Sequence, residues 1–329
     1  MTWLKKLFGS VSPPAAIDTE VAAVATAPPP APPSPLVSPA AAAPPLPSTP
    51  EQVGQFYDQT NEAFVRVYGE VIQAFRTRDV SKLLDYQIES IGLQAGQHVL
   101  DAGCGVCGPA TYFSQHAGVT VEALTMSQVQ VDLAQQRIDA AGLQARVAVR
   151  RASYQDLATT FAPASFDAVY FLESFGHSDD IVRTLAGAFA VLKPGATLYI
   201  KDLFRKEPAI ASHAAMIDTE VAKINAAYHY NIPDLGHFLQ VLRRQGFILQ
   251  FLKTIDLPLQ DFENLTISND FQELTGIGRI ENWQTYIFPV DFFEVKCLKP
   301  VHDLSAGNSR YFLQNLYHLK VLNTRPEDL

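Results

Sequence analysis

Cysteine, methionine and tryptophan are scarce in this chain of 329 residues, at three, three and two. Three cysteines (Cys104, Cys107, Cys297) are too few and odd in number for a disulfide framework, which points to a reducing, cytoplasmic setting. Cys104 and Cys107 form C-x-x-C, but zinc asks for about four ligands. No metal is expected, and the pair reads as small, soft filling of a tight turn. No run of about 18 apolar residues occurs, which excludes a transmembrane helix. No apolar stretch follows Lys5 and Lys6, so a secretory signal is not expected. Basic residues number 25 against 34 acidic ones and form no block, so a net charge of −9 argues against general nucleic-acid binding.

Proline is abundant, but unevenly placed. Residues 1–50 hold 13 of the 22 prolines, 11 alanines and only four charges, Lys5, Lys6, Asp18 and Glu20. Such a composition predicts a disordered or polyproline-like tail. Its tip, Trp3-Leu4-Lys5-Lys6-Leu7-Phe8, reads either as a frayed terminus or as a short contact helix for a membrane surface or a protein. The remainder, in a chain that is 47% hydrophobic, suffices for one α/β domain with elaborations.

The most informative stretch runs from Val99 to Pro109, VLDAGCGVCGP. Apolar Val99 and Leu100 suit a buried strand. Gly103, Gly105 and Gly108 then remove the Cβ atoms that would keep a ligand from the backbone, and Pro109 suits a first helical turn. The spacing is formally G-x-G-x-x-G, which admits a dinucleotide site. Asp101, two residues before the first glycine, would repel a pyrophosphate there. It would instead accept hydrogen bonds, directly or through water, from a cationic amino-acid ligand.

Strands are predicted at Val119–Met126, Ala145–Ala152, Ser165–Leu172, Thr197–Leu203, Ile248–Leu257 and Val290–Leu298. Helices are expected at Pro109–His116, Ser127–Ala141, about Ser178–Leu192 and Ile232–Gly246, with Leu192–Ala196 a turn. Alternation of this kind makes a seven-stranded, mostly parallel sheet with helices on both faces and its ligand crevice at the carboxyl ends of the first strands. Helical spacing over 51–94, including Phe56, Phe64, Val67, Tyr68, Val71, Ile72 and Phe75, predicts lid helices. A binding core over 95–205, a lid insertion at 206–231, the rest of the sheet over 232–300 with an insertion at 258–289, and an extension at 301–329 complete the division.

The glycine stretch resembles the first motif of the class I S-adenosylmethionine-dependent methyltransferases. Phe166-Asp167-Ala168-Val169, Leu192-Lys193-Pro194-Gly195, Met126-Ser127-Gln128-Val129-Gln130 and Leu172-Glu173-Ser174 extend the likeness over about residues 55–255. The last two are similar to the small-molecule branch that contains tocopherol, sterol and prenyl-diphosphate C-methyltransferases. The resemblance implies a Rossmann-like fold, S-adenosyl-L-methionine as cofactor and a small-molecule acceptor. It places the cofactor against Asp101, Ala102, Gly103, Cys104 and Gly105. Thr125, Met126, Ser127 and Gln130 would lie by the ribose, where many relatives carry an acid, and Ser153 and Tyr154 by the adenine. Tyr57 matches a lid tyrosine. Ser127 doubles as a helix cap.

Methyl transfer is an in-line displacement that asks the enzyme chiefly to position reactants and exclude water. A base is needed when the acceptor must lose a proton; Glu173 at the end of the fourth strand is the leading candidate, and His177, four residues on, could also act as base or orient substrate. C-methylation of an isoprenoid would call on aromatic faces, with Phe171, Phe175, Phe204, Tyr228 and Tyr230 available, and a diphosphate on Lys201, Arg205 and Lys206. O- or N-methylation of a metabolite would not. Two other readings stay open here: a nicotinamide-dependent oxidoreductase using the glycine loop, and a non-catalytic binding module.

Overall fold

A computed structural model describes residues 47–74, 76–255 and 288–301. Residues 1–46 of the predicted tail, most of the 258–289 insertion and nearly all of the extension lie outside the described residues, while Thr49 and Pro50 of the expected tail cap and open the first helix. The first helix, α1 (Pro50–Tyr68), starts on a capping box in which Thr49 Oγ1 accepts from the Gln52 amide and Gln52 Oε1 accepts from the Thr49 amide. It ends at Gly69, whose φ of +66° interrupts the helical spacing expected to run through Phe75. The second helix, α2 (Val80–Ile91), is capped by Asp79 and stopped by left-handed Gly92.

The sheet then alternates with helices: β1 (His98–Ala102), α3 (Gly108–His116), β2 (Thr120–Thr125), α4 (Gln128–Ala140), β3 (Val147–Arg151), short α5 (Leu157–Thr160), β4 (Phe166–Leu172), α6 (Ile181–Val191) and β5 (Leu192–Arg205). Helices α7 (Ala214–Tyr228) and α8 (Leu235–Gln245) precede β6 (Ile248–Lys253) and β7 (Val290–Leu298). The strand order is β3-β2-β1-β4-β5-β7-β6. The pairs among β1 to β5 are parallel, and β7 runs antiparallel to both β5 and β6. The expected turn at Leu192–Ala196 is absorbed into β5: Leu192 pairs with Phe166, and the register slips between Phe166 and Ala168 while Gly195 takes a φ of +82°. Lys193, paired to Asp167 at 2.8 Å, holds the two strands across this irregularity.

Successive strand residues feed opposite layers, as the two-residue period requires. Leu100, Val169 and Ile200 pack under α6 and α8 through Leu185, Ala188, Phe238 and Val241. Val99, Ala168 and Tyr199 pack under α2, α3 and α4 through Leu84, Phe113 and Ile138. Both faces are covered, which is why the central strands read as unbroken apolar runs. A third cluster joins Phe64 and Tyr68 of α1 to Ile217, Val221 and Tyr228 of α7. Of the two helices expected as a lid, α1 thus builds the roof with α7, while α2 covers the sheet.

Candidate active site

The carboxyl ends of β1, β2 and β4 open into one cavity beneath α1. Its walls come from Asp101, Gly103, Cys104 and Gly105 after β1, Thr125, Met126 and Gln130 around the β2–α4 junction, Ser153, Tyr154 and Gln155 after β3, and Glu173, Ser174 and His177 after β4. Val53 and Tyr57 of α1, with Ile72 and Gln73 of the following segment, close it from above.

The glycine turn is bolted in place. The amides of Gly103 and Cys104 donate to Leu124 O at 3.0 and 2.8 Å, and Ser174 Oγ donates to Ala102 O at 2.6 Å. A Cβ on Gly103, whose φ is +101°, would fall 2.3 Å from that of Ser174, so no other residue fits. Asp101, 1% exposed, faces this cavity with Oδ2 lacking any hydrogen-bond partner among the described residues. Burial pushes its carboxyl up to about 8, opposed by the nearby Tyr170 hydroxyl. An orphaned buried carboxyl beside a glycine turn suits a ligand that brings a cation to it, and the ammonium of an amino-acid moiety fits.

Farther along, Thr125 Oγ1 donates to Gln130 Oε1 at 2.6 Å, and both side chains are buried. Ser127 and Ala102 lie behind the cavity wall. Ser127 Oγ caps α4 through the Gln130 amide at 3.1 Å and donates to Asp58 Oδ1 at 2.6 Å, tying α1 to the start of α4. Tyr154 Oη donates to Ser174 O at 2.8 Å, fixing its ring in the wall. Glu122, in the middle of β2, pairs with Arg150 on β3.

The two acid/base candidates differ sharply. Glu173 adopts a φ of +57°; its carboxylate is ion-paired to the buried ammonium of Lys201 and accepts from the Ala74 amide at 2.6 Å. His177 Nδ1 lies 3.0 Å from His229 O, and since a carbonyl only accepts, Nδ1 carries the proton. Nε2 is then the basic atom, 3.0 Å from Tyr57 Oη. Burial pushes the imidazole down to about 4, partly countered by the bond to His229 O, so the ring is neutral near pH 7. It stacks on Tyr230, centroids 4.0 Å apart. Burial also raises Tyr57, keeping its hydroxyl protonated.

Several residues of this site carry no sequence signal. Asp202 accepts from the amides of Gly176 at 3.1 Å and Leu203 at 2.7 Å, holding the 175–177 turn on which His177 sits; burial pushes it up to about 7. Asp58, Gln73 and Gln155 read as ordinary polar positions, and only folding brings them here. The three cations considered for a diphosphate are each ion-paired: Lys201 with Glu173, Arg205 with Asp218 and Lys206 with Asp291.

The family model for mycolic acid cyclopropane synthetases matches residues 52–230. The O-methyltransferase cnsE of Penicillium expansum is 33% identical over 243 residues, covering 70% of this chain and 82% of that one. Methyltransferase GfsG of Streptomyces halstedii is 30% identical over 162 residues, but the match spans only 58% of its length and 46% of this chain. Among solved structures, the [4+2]-cyclase SpnF shares the fold with a TM-score of 0.62 at 22% identity, over 78% of this chain and 98% of that one. With a methyltransferase family matching over half of the chain, neither the nicotinamide oxidoreductase nor the non-catalytic module stands: the chain belongs to the mycolic acid cyclopropane synthetase family of class I S-adenosylmethionine-dependent methyltransferases.

Proposed function

We propose that this enzyme O-methylates an uncharged, hydroxyl-bearing small molecule, with His177 Nε2 taking the hydroxyl proton. The observation that carries this reading is the fixed tautomer of a neutral, buried histidine that lines the cavity, its basic nitrogen held by the hydroxyl of Tyr57, another residue of the cavity wall. Bound S-adenosylmethionine supplies a methyl group made electrophilic by its sulfonium. Asp101 would hold the cofactor's ammonium, and the backbone of Gly103, Cys104 and Gly105 would receive its amino-acid end. Thr125, Met126 and Gln130 would flank the ribose, and Ser153 and Tyr154 the adenine. Ala102 and Ser127 support that surface from behind.

A base of depressed pKa is adequate here. The hydroxyl proton becomes strongly acidic as its oxygen takes the methyl group, so His177 is needed late and only as an acceptor placed within reach. The amide-bound carboxylate of Asp202 holds the turn that positions it. Glu173, charge-paired to Lys201, stands in the wall as a second carboxylate.

No lysine or arginine lines the cavity among the described residues, which disfavours a diphosphate acceptor. Nor do the aromatic rings considered for an isoprenoid reaction face it: Phe171, Phe175 and Phe204 are core residues, and Tyr228 and Tyr230 belong to the roof. The relative named an O-methyltransferase, cnsE, supports the same direction. Three buried, unpaired cysteines support the expected reducing, cytoplasmic setting.

The test is incubation with methyl-labelled S-adenosylmethionine and parallel panels of phenols, aliphatic alcohols, amines and prenyl diphosphates. Oxygen-methylated product from the hydroxyl panels is expected. Turnover confined to the diphosphates or to the amines would overturn the reading.

A further inference from the structure

Between α1 and α2 the chain crosses the glycine turn as a strap, residues 69–74. At its near end a Cβ on Gly108 would lie 2.1 Å from Glu70 O, and Glu70 pairs with Arg137 at 2.9 Å. In the middle, Ile72 Cδ1 stands 3.6 Å from where a Cβ on Gly105 would be. At the far end a buried network takes hold. Lys201 Nζ is paired with Glu173 and donates to Gln73 Oε1 at 2.7 Å; Gln87 Nε2 donates to the same oxygen at 2.7 Å; and the Ala74 amide donates to Glu173 Oε2 at 2.6 Å.

We infer that Lys201 is a positioning residue, which acts through Glu173 and Gln73 as a latch holding the 69–74 strap over the glycine turn and so retaining the cofactor. The inference rests on the reading of that turn as the cofactor site. The chemistry suits a latch. An ion pair with side chains about 1% and 3% exposed is worth little as net stability, but it fixes geometry, because either charge left alone in the interior is strongly penalised. Two of its bonds, Lys201 to Gln73 and the Ala74 amide to Glu173, join the strap to β5 and the end of β4, and Gln87 ties the strap to α2. Movement of the strap breaks several bonds at once, and the cavity wall formed by Ile72 and Gln73 leaves with it.

The experiment measures the dissociation rate of S-adenosylhomocysteine by stopped flow, amide exchange over 71–74, and steady-state kinetics. The variants are Gln73→Leu and the double variant Lys201→Met with Glu173→Gln, which removes both charges together. Losing the charge-assisted bonds that hold the strap should make release about tenfold faster, equivalent to about 1.4 kcal/mol, with faster exchange at Gln73 and Ala74. The KM for S-adenosylmethionine should rise by more than kcat falls. Unchanged release and exchange, with the loss confined to kcat, would overturn the latch and move Glu173 to the chemical step. Should the double variant fail to fold, Gln73→Leu decides by the same readouts. A wild-type protein that binds no S-adenosylhomocysteine would instead remove the cofactor reading, while exchange at the strap would still report on the latch.

Discussion

Tyr57 Oη lies 3.0 Å from His177 Nε2, joining the first helix to the loop after the fourth strand across 120 residues of chain. The contact exists because two other bonds aim the imidazole: Nδ1 donates to His229 O, and the ring stacks on Tyr230. Roof and imidazole are therefore one unit, and the position of α1 sets the reach of the proposed proton acceptor. Replacing His177 with Ala should lower kcat by about 10²- to 10⁴-fold, the usual worth of a positioned base, and leave S-adenosylhomocysteine affinity within a few-fold. Calorimetry beside turnover checks both halves; full activity would remove His177 from the chemistry.

With cofactor saturating, kcat should be level in His177 titration from about pH 6 to 8, because this group is held down to about 4. A limb near 6.5, where an unperturbed histidine titrates, would contradict the buried, carbonyl-bound ring described here. Tyr57→Phe should leave that pH dependence in place while lowering kcat by about tenfold, the order expected from losing one orienting hydrogen bond.

Stability should respond to the same group with a defined sign. The pKa of His177 is lower folded than unfolded, so on acidification the unfolded chain takes up a proton that the folded one refuses. Its contribution is full above about 6.5 and is lost as pH falls toward 4, by about 3 kcal/mol at most. Asp101 and Asp202 act oppositely: raised to about 8 and about 7, they contribute most below their unfolded values and lose that contribution as pH rises. The comparison must therefore be between wild type and His177→Gln. Denaturant unfolding from pH 4 to 7 should show the variant gaining relative stability toward the acid end, and parallel curves would refute it.

A cation arriving at Asp101 favours its charged form, so cofactor binding near pH 7 should expel a proton. Affinity for S-adenosylhomocysteine should increase with pH up to about 8. Titrations in buffers of different ionisation enthalpy would reveal the proton. In Asp101→Asn the release should vanish and affinity fall by about 10- to 100-fold, since a charge-assisted bond is worth roughly 1.5–3 kcal/mol. Undiminished affinity would place the ammonium elsewhere.

Gly103→Ala should destabilise the protein by about 1–3 kcal/mol, because the new methyl group would collide with Ser174 in a backbone conformation that side chains rarely adopt. Thermal unfolding is sufficient to check it, and an unchanged midpoint would show that the β4 end yields more readily than its hydrogen bond to Ala102 O suggests.

Much of this architecture is written locally. Ser127 before a helical stretch, Asp101 at a strand's end and the Gly103-x-Gly105 turn each carry their meaning within a few residues. That is why strand positions, the α4 cap and the glycine turn were legible in the sequence alone. Boundaries set by pairing were not: Leu192–Ala196 has the composition of a turn, yet β5 begins at Leu192 because Phe166 offers it a partner. The helical spacing past Gly69 was equally misleading, since Val71 and Ile72 are apolar to cover the glycine turn rather than to continue α1.

The chain by itself thus determined the layered α/β fold, the cofactor class and the short list of groups able to move a proton. How each of those groups is held was decided by tertiary structure. Glu173 and His177 are four residues apart, and on sequence Glu173 leads. Folding sets Lys201 against the one and the carbonyl of His229 against the other. A partner 28 or 52 residues away leaves no mark on the local sequence, but the charge it brings, and the water it excludes, determine the protonation state on which the chemistry depends.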